Sequence, residues 1–325
     1  MNSKHCPACY STRVIKKGKQ NGRQRYQCKN CEHRWERAKR TTDISNTIWA
    51  DYSRNNKTIE SIRQKYGLSE ASVREILQNY PVRPPQELLG LEYEITTIIL
   101  DATYISRKRS HGILVAIDAI SGKALYAKEL LGSERVRDYE EAIRTLLPHL
   151  PNLKACVIDG RKGVREMILG YGPVTQHCQF HEIAFVTQRL SRHPKTEAGI
   201  KLRGISLQLT ESSYTEIESK LIKWTEQYET LLKEKTYYTD HDGRLRWRYK
   251  HRNLRSAYNS LKRNLPYLYT YQQYPSYNIP NTSNRIDGQF GVIKKHIRTH
   301  SGCSLAIKIK LWFYFLSVGI GVKKN

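Results

Sequence analysis

The chain has 325 residues, and its 55 Lys and Arg against 30 Asp and Glu leave a formal charge of +25. That length allows a sizeable core plus one or two small modules. The charge exceeds anything solubility needs and points to a polyanion, nucleic acid above all. A membrane anchor is not expected: no lipidation motif or amphipathic anchor is visible, and the apolar stretch Leu311–Val322 has only 12 residues, which suits a buried terminal helix. The opening "MNSKHCPAC" lacks the apolar run of a signal peptide. The seven cysteines are therefore expected in the reducing cytoplasm, where metal binding is their usual role.

In chain order, residues 1–40 read as a zinc ribbon. Cys6-x2-Cys9 and Cys28-x2-Cys31 have the spacing of two knuckles that close a tetrahedral Zn²⁺ site. A segment this short has little core, so the metal supplies its folding energy. His5 and His33 are close enough to be substitute ligands, but four cysteines leave them facing solvent. The segment holds 12 Lys and Arg against two Glu, so it is either a DNA contact as well or a structural ribbon with a basic surface. Residues 41–80 read as a helix-turn-helix. Ile48, Ala50 and Tyr52 fall in a first helix, Thr58 caps a second, Gly67-Leu68 makes the turn, and Ser69 opens a third helix of recognition type carrying Arg74. Residues 81–92 are a Pro-rich linker.

The domain at 93–325 begins with Ile95–Ile105, "ITTIILDATYI", a strand buried on both faces that carries Asp101. A lone Asp there either caps the next turn or shares its space with a cation, since burying an unpaired carboxylate is costly. Lys154–Gly160, "KACVIDG", is a second apolar run ending in an acid, Asp159. In Thr282–Gly302, Ile286, Phe290, Ile293 and Ile297 share a helix face, with Asp287 one position beside the stripe. Two acids on strands and one on a helix would fit a two-metal phosphoryl-transfer site. Between the first two acids, "HGILVAIDAISGKALYAKEL" reads as a hairpin turning at Ser121-Gly122, with Asp118 as a turn residue. An amphipathic helix follows, and the order βββαβα is that of an RNase H-like α/β fold.

Cys178-x2-His181 could begin a metal site, brace the acids or contact DNA, or be a buried Cys and a hydrogen-bonded core His. Residues from about 182 to 280 read as an all-α insertion in the core. Its second helical segment carries eight Lys and Arg between Arg244 and Arg263, among them Arg246, Arg248, Lys250 and Arg252. With Trp247, Tyr249 and Tyr258 interleaved, it suits a groove in which Arg grips phosphate and a ring stacks on a base.

Taken together, "LDATY" (Asp101), "VIDGRKGV" (Asp159), "CQFHEI" (Cys178, His181) and "NIPNTSNRIDGQFGVIKKHIRTHSGCS" (Asp287) resemble bacterial insertion-sequence transposases of the DDE type, in the Mutator-like group. An N-terminal zinc ribbon and helix-turn-helix also occur in that group, so the resemblance spans nearly the whole chain. It implies that Asp101, Asp159 and Asp287 hold two Mg²⁺ or Mn²⁺ ions and that one zinc is structural. It further implies double-stranded DNA, element ends and target, as the partner, a homo-oligomer on that DNA, and a prokaryotic, nucleoid-associated setting. Asn284 and Arg285, with Lys294 and Lys295 further along the helix, would contact DNA near the metals. The family usually has Glu where this chain has Asp287, one methylene shorter, and Glu182 is the fallback acid. The competing class is a catalytically inactive, transposase-derived DNA-binding regulator.

Overall fold

The computed structural model describes residues 5–20, 23–36, 44–90, 93–106, 109–161, 163–300 and 302–319. The expected boundary between ribbon and helix-turn-helix at 40/41, the end of the linker at 91–92, Lys162, and the last residues of the apolar stretch at 320–322 lie outside the described residues. The chain divides into two compact units, Met1–Tyr80 and Pro81–Asn325.

The first unit opens with an antiparallel sheet of β1 (Val14–Gln20), β2 (Arg23–Cys28) and β3 (Arg34–Glu36). Only Cys6, Tyr26 and Cys28 are buried among its described hydrophobic residues, and Trp35 stacks on Tyr26 at 5.9 Å. Three helices follow: α1 (Ser45–Ser53), α2 (Ile59–Tyr66) and α3 (Glu70–Asn79). Thr58 Oγ1 accepts the Ser61 amide and Ser69 Oγ that of Ser72, both at 3.1 Å, so α2 and α3 each start on a side-chain cap. Gly67 ends α2 at φ +65°, a left-handed conformation that suits glycine. Ile48, Trp49, Tyr52, Ile62, Val73 and Leu77 form the core between the helices. Buried Asp51 accepts bonds from Lys65 (2.6 Å), Asn55 and Tyr66 (both 3.0 Å), and Lys65 foremost holds its carboxyl far below the usual carboxylate range.

In the second unit, a 3-10 turn at Pro85–Leu88 precedes β4 (Thr97–Tyr104), β5 (His111–Asp118) and β6 (Ala124–Leu131). Then come α4 (Val136–Leu146), β7 (Ala155–Ile158), α5 (Val164–Gly170) and β8 (Val174–His177). The five strands lie in the order β6-β5-β4-β7-β8. The first three pair antiparallel, and β4, β7 and β8 run parallel. Asp118 closes the β5–β6 turn by accepting the amides of Ile120 and Ser121 and the Ser121 hydroxyl, and Gly122 follows at φ +77°.

Period-two alternation assigns the two sheet faces. Ile98 and Leu100 of β4 and Cys156 and Ile158 of β7 join one core cluster with Tyr139, Ile143, Val164 and Ile168 of α4 and α5. The odd-numbered neighbours, Asp101 and Asp159 among them, therefore belong to the other face.

After β8 come α6 (Gln179–Leu190), α7 (Glu197–Leu207) and α8 (Tyr214–Lys233), then strands β9 (Lys235–Thr239) and β10 (Leu245–Tyr249), then α9 (Arg252–Leu268) and α10 (Thr270–Gln273). A second core, with Val186, Leu202, Leu221, Trp224, Leu261 and Leu265, unites these helices. The expected all-α insertion is corrected here: β9 and β10 form an antiparallel hairpin inside it, and Arg246 and Arg248 sit on a strand. The helical reading failed because exposed cations alternate with Trp247 and Tyr249 in "LRWRY", so no apolar period marks the strand.

The chain closes with α11 (Asn284–Thr299) and α12 (Leu305–Val318). Ile286, Phe290, Ile293 and Ile297 form the buried stripe of α11, and Leu311, Trp312, Phe315 and Leu316 are buried on α12. α11 packs on β4, and α12 packs on β6. No helix among the described residues is long and apolar enough to cross a membrane.

Candidate active site and zinc centre

The four cysteines bring their sulfurs within 4.8 Å of one another. Cys6 Sγ lies 3.5 Å from Cys31 Sγ and Cys9 Sγ 3.6 Å from Cys28 Sγ. Around zinc at a Zn–S distance of about 2.3 Å, tetrahedral geometry sets sulfurs about 3.8 Å apart, so this donor set fits the ion. The two knuckles are built alike. In each, the first sulfur accepts an amide two residues on, Ala8 N at 3.4 Å and Asn30 N at 3.3 Å. In each, the residue after the second cysteine, Tyr10 or Glu32, is left-handed. Burial pushes the Cys28 thiol up, but the amides of Cys31 and Asn30 and the neighbouring thiols bring it down to about 6, whereas the bonds among the same sulfurs leave Cys9 and Cys31 raised. His5 and His33 are exposed, and His33 stacks on Trp35.

The three acids come from three elements. Parallel pairing of β4 with β7 runs Thr97 to Ala155, Ile98 to Cys156 and Ile99 to Val157. Continued two residues on, that register sets Asp101 beside Asp159, both on the sheet face away from α4 and α5. On that side α11 packs against β4 and carries Asp287 in its first turn. Asp101 is 6% exposed, and its Oδ1 accepts the Ala102 amide at 2.7 Å. Burial first, then the charges of Asp159 and Asp287, push its carboxyl up to about 7, while His181 opposes them. Asp101 senses the other two carboxylates, yet among the described residues the three do not form a group with all ligand atoms within 4.8 Å; a site for two ions spreads its ligands wider than that for one.

Cys178 and His181 brace the third acid. Ser283, buried just before α11, donates its amide to Cys178 Sγ at 3.2 Å, and its hydroxyl lies 3.3 Å from that sulfur and 3.4 Å from His181 Nδ1. The same hydroxyl donates to Asp287 Oδ2 at 3.2 Å. Gln179 and Asn281 exchange two further bonds across this seam. The bond to Cys178 raises His181 to about 9, against burial and helped by the charges of Asp101 and Asp159. Cys178 is lowered, burial being outweighed by His181 and Ser283. The two shifts share one cause, the Cys178–His181 contact.

Other expected residues divide. Glu182 turns away from the acids: it is buried, with Oε2 3.3 Å from His177 Nε2 and accepting Asn264 Nδ2 at 2.9 Å, so it does not replace Asp287. Lys294 is near the acids; burial lowers it, while Asp287 and Asp101 pull it back. Arg285 donates to the Ala119 carbonyl at 3.3 Å and Gln289 to that of Gly122 at 2.6 Å, tying α11 to the β5–β6 turn. Asn284 and Lys295 are exposed on α11. Arg74 pairs with Glu70 (2.7 Å), Arg246 with Asp240 (2.9 Å) and Lys250 with Glu234 (3.0 Å), whereas Arg248 and Arg252 are exposed.

Three residues escaped the sequence reading. Glu134, raised by burial and by Asp159, is a fourth acid near the site and meets Arg161 at 2.6 Å; Ser283 links the brace to Asp287. His177 lies so close to Gly160, at φ +78°, that a β-carbon there would fall 1.8 Å from the ring. The signal available for His177 was the glycine itself, directly after Asp159.

No family model and no curated protein matches the chain. Among solved structures, a chain of the simian T-cell lymphotropic virus intasome in complex with PP2A regulatory subunit B56 gamma shares 12% identity, covering 66% of this chain and 68% of that one, with a TM-score of 0.23. The large terminase nuclease from thermophilic phage G20c shares 11% identity, covering 57% and 95%, with a TM-score of 0.21. Likenesses at these scores are too weak to assign a function.

Proposed function

We propose that this protein is a DNA transposase: residues 1–80, as ribbon and helix-turn-helix, bind the ends of a mobile element, and an RNase H-like domain at 93–325 cuts and rejoins phosphodiester bonds. The observation that carries the reading is the convergence of Asp101, Asp159 and Asp287 from two adjacent parallel strands and a covering helix, with Asp101 buried and raised to about 7. A carboxyl buried this deeply beside two further acids favours a divalent cation next to it. The sheet order β6-β5-β4-β7-β8, three antiparallel strands followed by two parallel ones, is also the RNase H-like order.

Asp101, Asp159 and Asp287 would hold two Mg²⁺ or Mn²⁺ ions, which when bound activate a water or a DNA 3′-hydroxyl and stabilise the leaving oxygen. Ser283, set by Cys178 and His181, orients the Asp287 carboxylate. The bonds from Arg285 and Gln289 to the β5–β6 turn hold α11 close to the sheet, which offsets the shorter reach of Asp in the position the family fills with Glu. Lys294 stands where it can meet a phosphate oxygen at the acids, with Asn284 and Lys295 on the same helix beside it. Arg74, Arg246, Arg248, Lys250 and Arg252 are the further DNA grips, and joining two ends calls for more than one copy on the DNA.

The test is strand joining by the purified chain on a duplex bearing the element's end, in Mg²⁺ and then Mn²⁺. Asp101→Asn is expected to lower joining on the order of 10³-fold or more, since several kcal/mol of charge stabilisation is lost, while end binding is kept. Tight end binding with no cutting by the wild type in either metal would instead mark a regulator.

A further inference from the structure

The β9–β10 hairpin exposes what folded chains usually cover. Every residue of both strands is exposed except Tyr249, which is half-buried. Tyr237 is 61% exposed, Trp247 49% and Tyr238 45%. A two-stranded ribbon is marginal in water by itself, and this one is pinned only at its root and its tip. At the root, the Arg255 guanidinium lies 3.5 Å from the centre of the Tyr249 ring and donates to the Leu232 carbonyl at 2.6 Å. At the tip, Asp240 accepts the amides of Asp242 and Arg244. That bonding explains the Asp240–His241–Asp242 group as turn chemistry, without a metal.

The register sorts the exposed side chains. Trp247 stands opposite Tyr237, and Arg246 opposite Tyr238. Each face therefore offers a ring beside a cation: the Lys235 ammonium is 4.1 Å from the Trp247 ring on one, and the Arg248 guanidinium 5.4 Å from the Tyr238 ring on the other. Where β10 ends, the chain enters the wall of a cleft of about 710 Å³ lined by Arg189, Lys195, Lys250, His251 and Arg252, of which Lys250 and His251 meet the Glu234 carboxylate at 3.0 and 3.3 Å. α9 starts at this cleft without a side-chain cap, which adds to the field that attracts anions.

We propose that the Trp247 face of the ribbon and the cleft at its foot form one binding site for single-stranded DNA, with unpaired bases stacking on Trp247 and Tyr237 and backbone phosphates held by Lys235 and the cleft cations. Bare rings need base faces, which a duplex hides and a single strand offers together with its phosphates. The excess of cations over the one carboxylate at the cleft suits a polyanion. The proposal rests on the DNA reading above and shares Lys250 and Arg252 with it, so it is tested with binding alone, in Asp101→Asn protein without added divalent metal.

Fluorescence anisotropy would compare a labelled 20-nucleotide oligo(dT) with a duplex of equal length. Trp247→Ala combined with Tyr237→Ala is expected to weaken oligo(dT) binding at least tenfold, a loss of about 1–3 kcal/mol per stacked base, and to leave duplex affinity within twofold. Trp247→Phe, which keeps a stacking face, should retain most of the affinity. Lys195→Glu with Arg252→Glu should flatten the salt dependence of oligo(dT) binding by about one unit of slope or more. Unchanged oligo(dT) affinity in the double ring variant, as expected if the ribbon docks a protein, would overturn the proposal. Equal losses on single strand and duplex would overturn it too.

Discussion

Removal of zinc by a chelator is expected to unfold residues 5–36, and Cys28→Ser to do the same without a chelator. The three strands bury almost nothing: the described part of β1 is exposed from Lys16 onward, and only one large ring, Tyr26, is fully covered. Against a backbone ordering cost of about 1–2 kcal/mol per residue, a single ring cannot hold the sheet. Zinc at a four-thiolate site contributes about 10–16 kcal/mol of apparent binding energy. A colorimetric zinc-release assay should count one ion per chain, and amide hydrogen exchange should show protection of residues 14–36 vanishing as it leaves. Helices α1 to α3, which have a core of their own with Trp49, Tyr52 and Leu77, should keep theirs. Persistent protection of β1 to β3 after zinc release would contradict this account.

Gly160→Ala should be the most damaging single methyl in the second unit. The new β-carbon would sit 1.8 Å from His177 Cε1 and 2.1 Å from Nδ1. The ring cannot retreat, because His177 is 5% exposed and lies against Glu182. A left-handed φ adds about 1–2 kcal/mol for any residue with a β-carbon, so a total near 4 kcal/mol is expected, and with it a fall in Tm of roughly 8–16 °C. Asp159 is the residue just before it, so metal-dependent joining should fall as well. His177→Ala in the same chain removes the clash and should restore part of the lost Tm, although Glu182 then loses its imidazole neighbour. A Gly160→Ala protein as stable as wild type would mean that His177 does not pack on this glycine.

Much of the sheet is legible in the sequence because local chemistry and burial agree there. The apolar runs that carry Asp101 and Asp159 form strands, Ser121-Gly122 turns a hairpin, and Thr58 and Ser69 cap helices where a hydroxyl precedes an amphipathic run. The β9–β10 ribbon was hidden for the opposite reason. Its alternation is between rings and cations, both exposed, so no apolar period marks it. The Asp-Gly pair at 242–243 between two ring-bearing runs was the available hairpin signal. The brace around Asp287 is legible only in part. Cys178 and His181 announce themselves as a pair, but Ser283 joins them from 105 positions away, and nothing local to a serine before a helix tells that its hydroxyl will face a thiol, an imidazole and a carboxylate. Glu134 and His177 are of the same kind, defined by what the fold brings beside them.

The most direct test of the three-acid site is Mn²⁺ binding measured by electron paramagnetic resonance, with the zinc centre loaded so that the cysteines are occupied. The account predicts two Mn²⁺ ions per wild-type chain and the loss of at least one ion in each of Asp101→Asn, Asp159→Asn and Asp287→Ala, with Glu182→Gln still binding two. Two ions retained in Asp287→Ala, or no Mn²⁺ bound by the wild type, would contradict it.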